Sequence, residues 1–324
     1  KQMLLYIEQS KKDGAKLVVF PELCVPGYLL GDRWEYDAFI HEIERANEVI
    51  KEASKGIVIV WGSVIADFDK IGEDGRVRKY NAACVAENGA LLSNGSLTGW
   101  IPKTNLPKYR IFDDARHFYP AASLAKEMGV QLEDLLHPFT LNINGEQFKL
   151  AVTVCEDLWE DEYNTKPSIV YAKQKPDLLV DISQSPWTEG KWNARDVMLR
   201  KRSKDTAIPI LYVNCIGLQN NTKNLVWFDG GSACINQSGI FVWRAPQHKE
   251  DLFYVSWETM NHTDISDVDK HTIAPIKEIH DAMIHAMKDF FAPFPKIVIG
   301  LSGGIDSAIA LALLVEALGA EKVL

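Results

Sequence analysis

The chain has 324 residues, 47% of them hydrophobic, and a formal net charge of −9. That length exceeds the size at which one core usually stops growing, so one large domain plus part of a second is expected; the acidic balance argues against a nucleic-acid surface, and no apolar run is long enough to span a bilayer. The five cysteines are odd in number, widely spaced and without any Cys-x-x-Cys, which fits neither a disulfide framework nor a zinc site and points to a reducing, cytoplasmic compartment.

Met3 to Lys12 has helical spacing and starts almost at Lys1, so a natural chain that begins earlier, with one more strand, is expected. Lys16 to Phe20 is a short apolar strand, and Pro21-Glu22-Leu23 and Pro26-Gly27-Tyr28 lead from it to a helix from about Glu35 to Ser54. Ile57 to Trp61 is the next strand. Tyr80 to Ala86, Asn88-Gly89 and Leu91-Leu92 predict a β-hairpin. Further strands are expected over 148–154, 177–182 and 208–213, with helices near 168–174 and 193–205 between them. Residues 233–235, 240–243 and 252–255 look like antiparallel strands that close the domain. A polar, aperiodic stretch with Asp264, Asp267 and Asp269 predicts an interdomain linker over 261–275. Beyond it come a helix over 276–291, a strand over 296–299, the loop Gly300-Leu-Ser-Gly-Gly-Ile-Asp-Ser307 and an Ala/Leu-rich helix. Some fifty residues are too few for a parallel-sheet domain, so residues 276–324 are expected to be the truncated start of one.

Three residues stand where a strand or loop reaches the edge of a layer. Cys155 follows the apolar run Ala151-Val-Thr-Val154; alone it would be read as a packing cysteine. Glu22 follows a strand through a proline, and Lys103 sits in a Pro-Lys-x-x-Leu-Pro loop. Together, a thiol, a carboxylate and an ammonium suit amide hydrolysis. Cys155 would attack, Glu22 would take and later return the proton, and Lys103 with the backbone N–H of Glu156 would hold the oxyanion.

Phe-Pro-Glu22-Leu, Pro-Lys103-x-x-Leu-Pro and Val-Cys155-Glu-Asp, in that order, resemble the Glu-Lys-Cys triad of the nitrilase (carbon-nitrogen hydrolase) superfamily. Gly27-Tyr28, Tyr80-Asn81, the segment Leu106 to Phe118, Ser183-Gln-Ser-Pro186 with Gly190-Lys191, and Phe228-Asp-Gly-Gly-Ser232 are similar to the glutaminase domains of the glutamine-dependent NAD synthetase family. The resemblance implies an α/β fold: a nitrilase-like four-layer α-β-β-α sandwich over 1–260, then the beginning of a Rossmann-like parallel ATP-pyrophosphatase domain. It places glutamine on Tyr28, Tyr109, Glu156, Ser185 and Lys191. Where that family has Glu before x-Arg-x-(aromatic), this chain has Asp114.

The second motif stands apart from the first. Ser302-Gly-Gly-Ile-Asp-Ser307 follows an apolar strand and opens a helix, which sets free N–H groups and the helix dipole at an anion site. It lacks the Gly-Lys-Ser/Thr ending of a Walker loop and resembles the pyrophosphate loop of ATP pyrophosphatases. The resemblance implies ATP contacts at Gly300, Ser302, Gly303, Gly304, Ile305, Asp306 and Ser307, with Mg2+ near Asp306. It further implies that ammonia from glutamine converts adenylated deamido-NAD to NAD, in a homo-oligomeric enzyme. The alternative is a stand-alone nitrilase-superfamily amidase, which would have no use for the nucleotide loop.

Overall fold

Two mixed sheets face each other across one core, and helices cover both outer faces. The structure, a computed structural model, describes residues 1–72, 74–261 and 274–324. The first sheet holds β1 (Leu17–Val19), β2 (Val58–Ile71), β3 (Val77–Glu87), β4 (Ala90–Leu91) and β5 (Trp100–Pro102), in the order β1-β2-β3-β4 with β5 also on β3. Helices α1 (Gln2–Lys12) and α2 (Asp37–Ala53) cover its outer side. The two-residue period of strands assigns the faces: Val58, Val60, Ala83 and Val85 enter the core between the sheets, while Ile57, Ile59, Trp61, Cys84 and Ala86 pack under the helices against Ile7 and Ile50. Asn88 and Gly89 both have positive φ, the requirement of the two-residue hairpin turn that joins β3 to β4.

Two short helices, α3 (Asp114–His117) and α4 (Ala121–Met128), lead to the second sheet. It holds β6 (Phe139–Ile143), β7 (Glu146–Val154), β8 (Leu178–Ser183), β9 (Ile210–Asn214), β12 (Ala233–Ile235) and β13 (Phe241–Arg244), in the order β13-β12-β9-β8-β7-β6. β7, β8 and β9 are parallel, with the crossovers supplied by α5 (Pro167–Ala172) and α6 (Lys191–Thr206). The expected four-layer α-β-β-α sandwich is thus present.

Between β9 and β12 lies a separate antiparallel hairpin of β10 (Ile216–Asn220) and β11 (Leu225–Asp229), and α7 (Trp257–Asn261) follows β13. The C-terminal part contains α8 (Pro275–Phe291) and α9 (Ile305–Leu318). Helix α8 touches the hairpin: Leu218 N donates to Asp289 Oδ2 at 3.2 Å, and the His285 ring stacks on His248 with centroids 4.9 Å apart and on Trp227 at 6.0 Å.

Three expectations change. Residues 252–255 form no strand; side chains anchor them instead, with the Tyr254 hydroxyl donating to Asp13 at 2.6 Å and Phe253 against Trp243. Residues 296–299 form only a bridge, Ile297 to Val323, because a single neighbouring segment meets them. β2 runs on to Ile71, ten residues past Trp61, where its burial fades and polar residues are tolerated. Most of the expected linker, with its aspartates, lies outside the described residues.

Candidate active site

Each triad residue stands one position beyond a strand or within the turn that ends it, and the two sheets bring them together. Glu22 lies in the turn after β1, Lys103 directly follows β5, and Cys155 directly follows β7. The first sheet therefore delivers the carboxylate and the ammonium, and the second delivers the thiol.

Glu22 is fully buried, and its turn presses on β2 at Gly62. A Cβ there would lie 2.3 Å from Leu23 N and 2.4 Å from Glu22 Cα, so the approach needs glycine. Glu22 Oε1 accepts hydrogen bonds from Asn81 Nδ2 at 2.7 Å and Lys103 Nζ at 2.8 Å, and Oε2 accepts from the Gln184 amide at 2.8 Å. Lys103 Nζ also donates to Asp114 Oδ2 at 2.7 Å, so the shorter acid does reach the lysine. Burial alone would lower the Lys103 pKa, but Asp114 and Glu22 outweigh it and hold the ammonium well above its ordinary value. The Tyr28 hydroxyl donates to Asp114 Oδ1 and completes this cluster.

Cys155 adopts a positive φ of 50°, an unusual conformation for a side chain of any size, at the first position of a 3-10 turn over Cys155–Leu158. Such a turn leaves its first amides without helical partners, which suits the backbone N–H of Glu156 as an oxyanion donor. Burial pushes the Cys155 thiol well above the usual range, and the Glu22 carboxylate adds to this while Lys103 opposes it. The group at rest is therefore a thiol. Lys103 donates to two carboxylates, those of Glu22 and Asp114.

The expected glutamine contacts surround this point. Glu156 accepts from the Tyr109 hydroxyl at 3.0 Å and from Tyr163 at 2.9 Å; burial raises its pKa against both phenols and Lys103. Ser185 is buried, and its Oγ faces Arg195 Nε at 3.3 Å. Lys191 starts α6 with its Nζ 3.9 Å from the Trp159 ring, and burial lowers its pKa. Several supporting residues escaped the sequence reading. Asp157 ties the lysine loop to the cysteine turn, Arg195 pairs with Asp229, and Gln184 holds Glu22. The segments Val-Cys155-Glu-Asp, Ser183-Gln-Ser-Pro186 and Phe228-Asp-Gly-Gly-Ser232 contain Asp157, Gln184 and Asp229, but Arg195 lay in none of them.

Residues 1–263 match the carbon-nitrogen hydrolase family model. The chain belongs to the carbon-nitrogen hydrolase family. Residues 276–324 match the NAD synthase model. The chain is 31% identical over 324 residues to a glutamine-dependent NAD(+) synthetase of Acinetobacter baylyi, covering 99% of this chain and 53% of that protein. With a Synechocystis glutamine-dependent NAD(+) synthetase it shares 29% over 327 residues, 98% of this chain and 54% of the relative. The chain spans about half the length of the curated relatives it matches. The solved Acinetobacter baumannii glutamine-dependent NAD+ synthetase in complex with ADP superposes with a TM-score of 0.78 at 31% identity, covering 99% of this chain and 54% of that one.

The second expected site lies in the C-terminal part of the chain, residues 276–324. Gly303 has a φ of +84°, and Gly304 caps α9, whose first residues are Ile305, Asp306 and Ser307. Ser302 Oγ lies 3.2 Å from Ser307 Oγ and 3.4 Å from Gly304 N, and Ser307 Oγ donates to Gly304 O at 3.0 Å. The loop is exposed from Gly300 to Asp306. Among the described residues no cluster of three His, Cys, Asp or Glu could hold a metal by itself, and no helix is long and apolar enough to cross a membrane.

Proposed function

We propose that this chain is part of a glutamine-dependent NAD synthetase in which residues 1–260 hydrolyse glutamine and residues 276–324, beyond a linker over 261–275, begin the ATP-pyrophosphatase domain that consumes the ammonia. The observation that carries this reading is the meeting of Glu22, Lys103 and Cys155 in one buried cluster, in a chain that also carries the Ser302 to Ser307 loop. A stand-alone amidase leaves that loop without a use.

Glutamine would lie with its α-ammonium toward Glu156, its α-carboxylate toward Lys191, and Tyr28, Tyr109 and Ser185 around it. Glu22 accepts the thiol proton as Cys155 Sγ bonds to the carboxamide carbon. The oxyanion is stabilised by the Lys103 ammonium and the Glu156 N–H. Collapse breaks the C–N bond, and the proton on Glu22 leaves with the amine as ammonia. Water, deprotonated by Glu22, then cleaves the glutamyl thioester to glutamate and restores the thiol.

In the second domain, Gly300, Ser302, Gly303, Gly304, Ile305, Asp306 and Ser307 would receive the phosphates of ATP at the start of α9, for adenylation of deamido-NAD. Mg2+ commonly binds through one or two carboxylates plus substrate phosphates, so the lone Asp306 beside this loop fits it; the ion would neutralise phosphate charge there. We place the protein in the cytoplasm, where a free Cys155 stays reduced. Assembly into a homo-oligomer is an expectation of the resemblance, read out by analytical ultracentrifugation.

The test uses the full-length protein with Cys155→Ala. Glutamine-driven NAD formation is expected to be lost while NAD formation from ammonium salts persists; a variant that still releases glutamate from glutamine would overturn the assignment.

A further inference from the structure

The loop that carries Glu22 begins at Pro21 and ends near Leu29, and one side chain outside it fixes its far end. Gln219 on β10 accepts hydrogen bonds at Oε1 from two consecutive amides, Tyr28 N at 2.8 Å and Leu29 N at 3.0 Å. With its oxygen occupied by two donors, the orientation of the amide is determined, and Nε2 donates to Gln184 Oε1 at 2.8 Å. That in turn fixes the Gln184 amide, whose Nε2 donates to the Glu22 carbonyl at 2.5 Å. Gln184 also supplies the backbone N–H that Glu22 Oε2 accepts at 2.8 Å. Gln184 is buried and Gln219 half-buried, so a wrong partner at either amide is costly.

We propose that Gln219 is a positioning residue for the base of the amide hydrolysis: through Gln184 and the Tyr28 and Leu29 amides it clamps both ends of the Pro21 to Leu29 loop and so sets the Glu22 carboxylate. The inference rests on the triad reading above and adds a residue 64 positions after Cys155, outside the motif that carries it. It also explains why β10 and β11 leave the second sheet as a separate hairpin. Folded away from β9, the hairpin reaches across to the first sheet's loop, with Gln219 paired to Val226 in its ladder. The adjoining residue, Leu218, is the one whose amide meets Asp289 of α8, so the same strand faces the C-terminal part.

The test is Gln219→Glu in the full-length enzyme, with steady-state glutamine hydrolysis as the readout. A carboxylate at 219 still accepts from the Tyr28 and Leu29 amides but cannot donate to Gln184. Gln184 must then turn its NH2 toward residue 219 and its oxygen toward the Glu22 carbonyl. The expected result is a fall in kcat of about 10- to 100-fold, the usual range for lost outer-shell partners, with KM for glutamine within about twofold. Gln219→Met, which keeps the volume and removes both kinds of bond, is expected to show the same split and serves if the Glu variant does not fold. Unchanged kcat in either folded variant, or a raised KM with kcat intact, would overturn the inference. If wild-type protein hydrolyses glutamine through Cys155 while both variants match it, only this inference fails and the triad reading stands.

Discussion

The Asp157 carboxylate accepts a 2.8 Å hydrogen bond from the backbone amide of Asn105, and so the loop that bears Lys103 is tied to the turn that bears Cys155. Oδ1 also accepts from Thr104 N at 3.0 Å, and Oδ2 accepts from Val154 N at 3.1 Å. One fully buried side chain thus sets the spacing between the thiol on one sheet and the ammonium on the other.

The cost of that arrangement depends on pH. Burial pushes the Asp157 carboxyl up to about 7, against the pull of its backbone amides. The folded protein then holds this proton more tightly than the unfolded chain, so the stability linked to Asp157 is present below the ordinary carboxyl pKa and is lost as pH rises toward 7. The urea-unfolding free energy of wild type minus that of Asp157→Asn is expected to fall by a few kcal/mol, order of magnitude, between about pH 4 and pH 7 and then to level off. A difference that stays constant across this range would contradict the burial argument.

Asp114 balances Lys103 and receives the Tyr28 hydroxyl. Asp114→Ala is expected to destabilise the protein by about 3–5 kcal/mol, because it leaves a buried ammonium with one carboxylate, and to reduce kcat for glutamine hydrolysis. Asp114→Glu is expected to retain activity. Chemical denaturation with steady-state kinetics measures both.

Gly62 gives the Glu22 turn its room. Gly62→Ala is expected to displace that turn and to lower kcat by about 100-fold or more, in line with the sensitivity of catalysis to misplacement by an ångström. The same substitution at Gly129, where a Cβ would meet nothing but φ is +71°, is expected to cost only about 1 kcal/mol of stability and no activity.

Arg195 is buried against Asp229, with Nη1 2.9 Å from Oδ2 and Nη2 2.8 Å from Oδ1, and Nη2 also donates to Ser185 O at 2.7 Å. Arg195→Met is expected to destabilise by about 3–5 kcal/mol and to raise KM for glutamine more than it lowers kcat, since the Ser185 segment loses its brace.

The placement of Glu22 and Cys155 at strand ends was legible in the sequence because apolar runs announce the strands, Leu17 to Phe20 before Glu22 and Ala151 to Val154 before Cys155, whereas the short strand before Lys103 was not. Asn81, Asp114 and Gln184 lay within segments the resemblance marked, but the contacts of Asn81 and Gln184 with Glu22 span 59 and 162 positions and needed the fold, and Gln219 lay outside every such segment. Hairpin β10 and β11 was missed for a local reason. Its connection, Asn221 to Asn224, is polar and four residues long, without the Asn-Gly signature that exposed β3 and β4. The strand expected over 296–299 shows the converse: apolar β-branched residues favour a strand, but only neighbouring strands make one.

The central claim is that Cys155 forms a glutamyl thioester. Full-length protein mixed with glutamine and quenched in acid within one turnover, then digested and analysed by mass spectrometry, tests it most directly. The account predicts a glutamyl adduct on the peptide that contains Cys155, abolished by Cys155→Ala and strongly reduced by Glu22→Gln. Glutamate release at the wild-type rate with no adduct on that peptide, or an adduct on another residue, would contradict it.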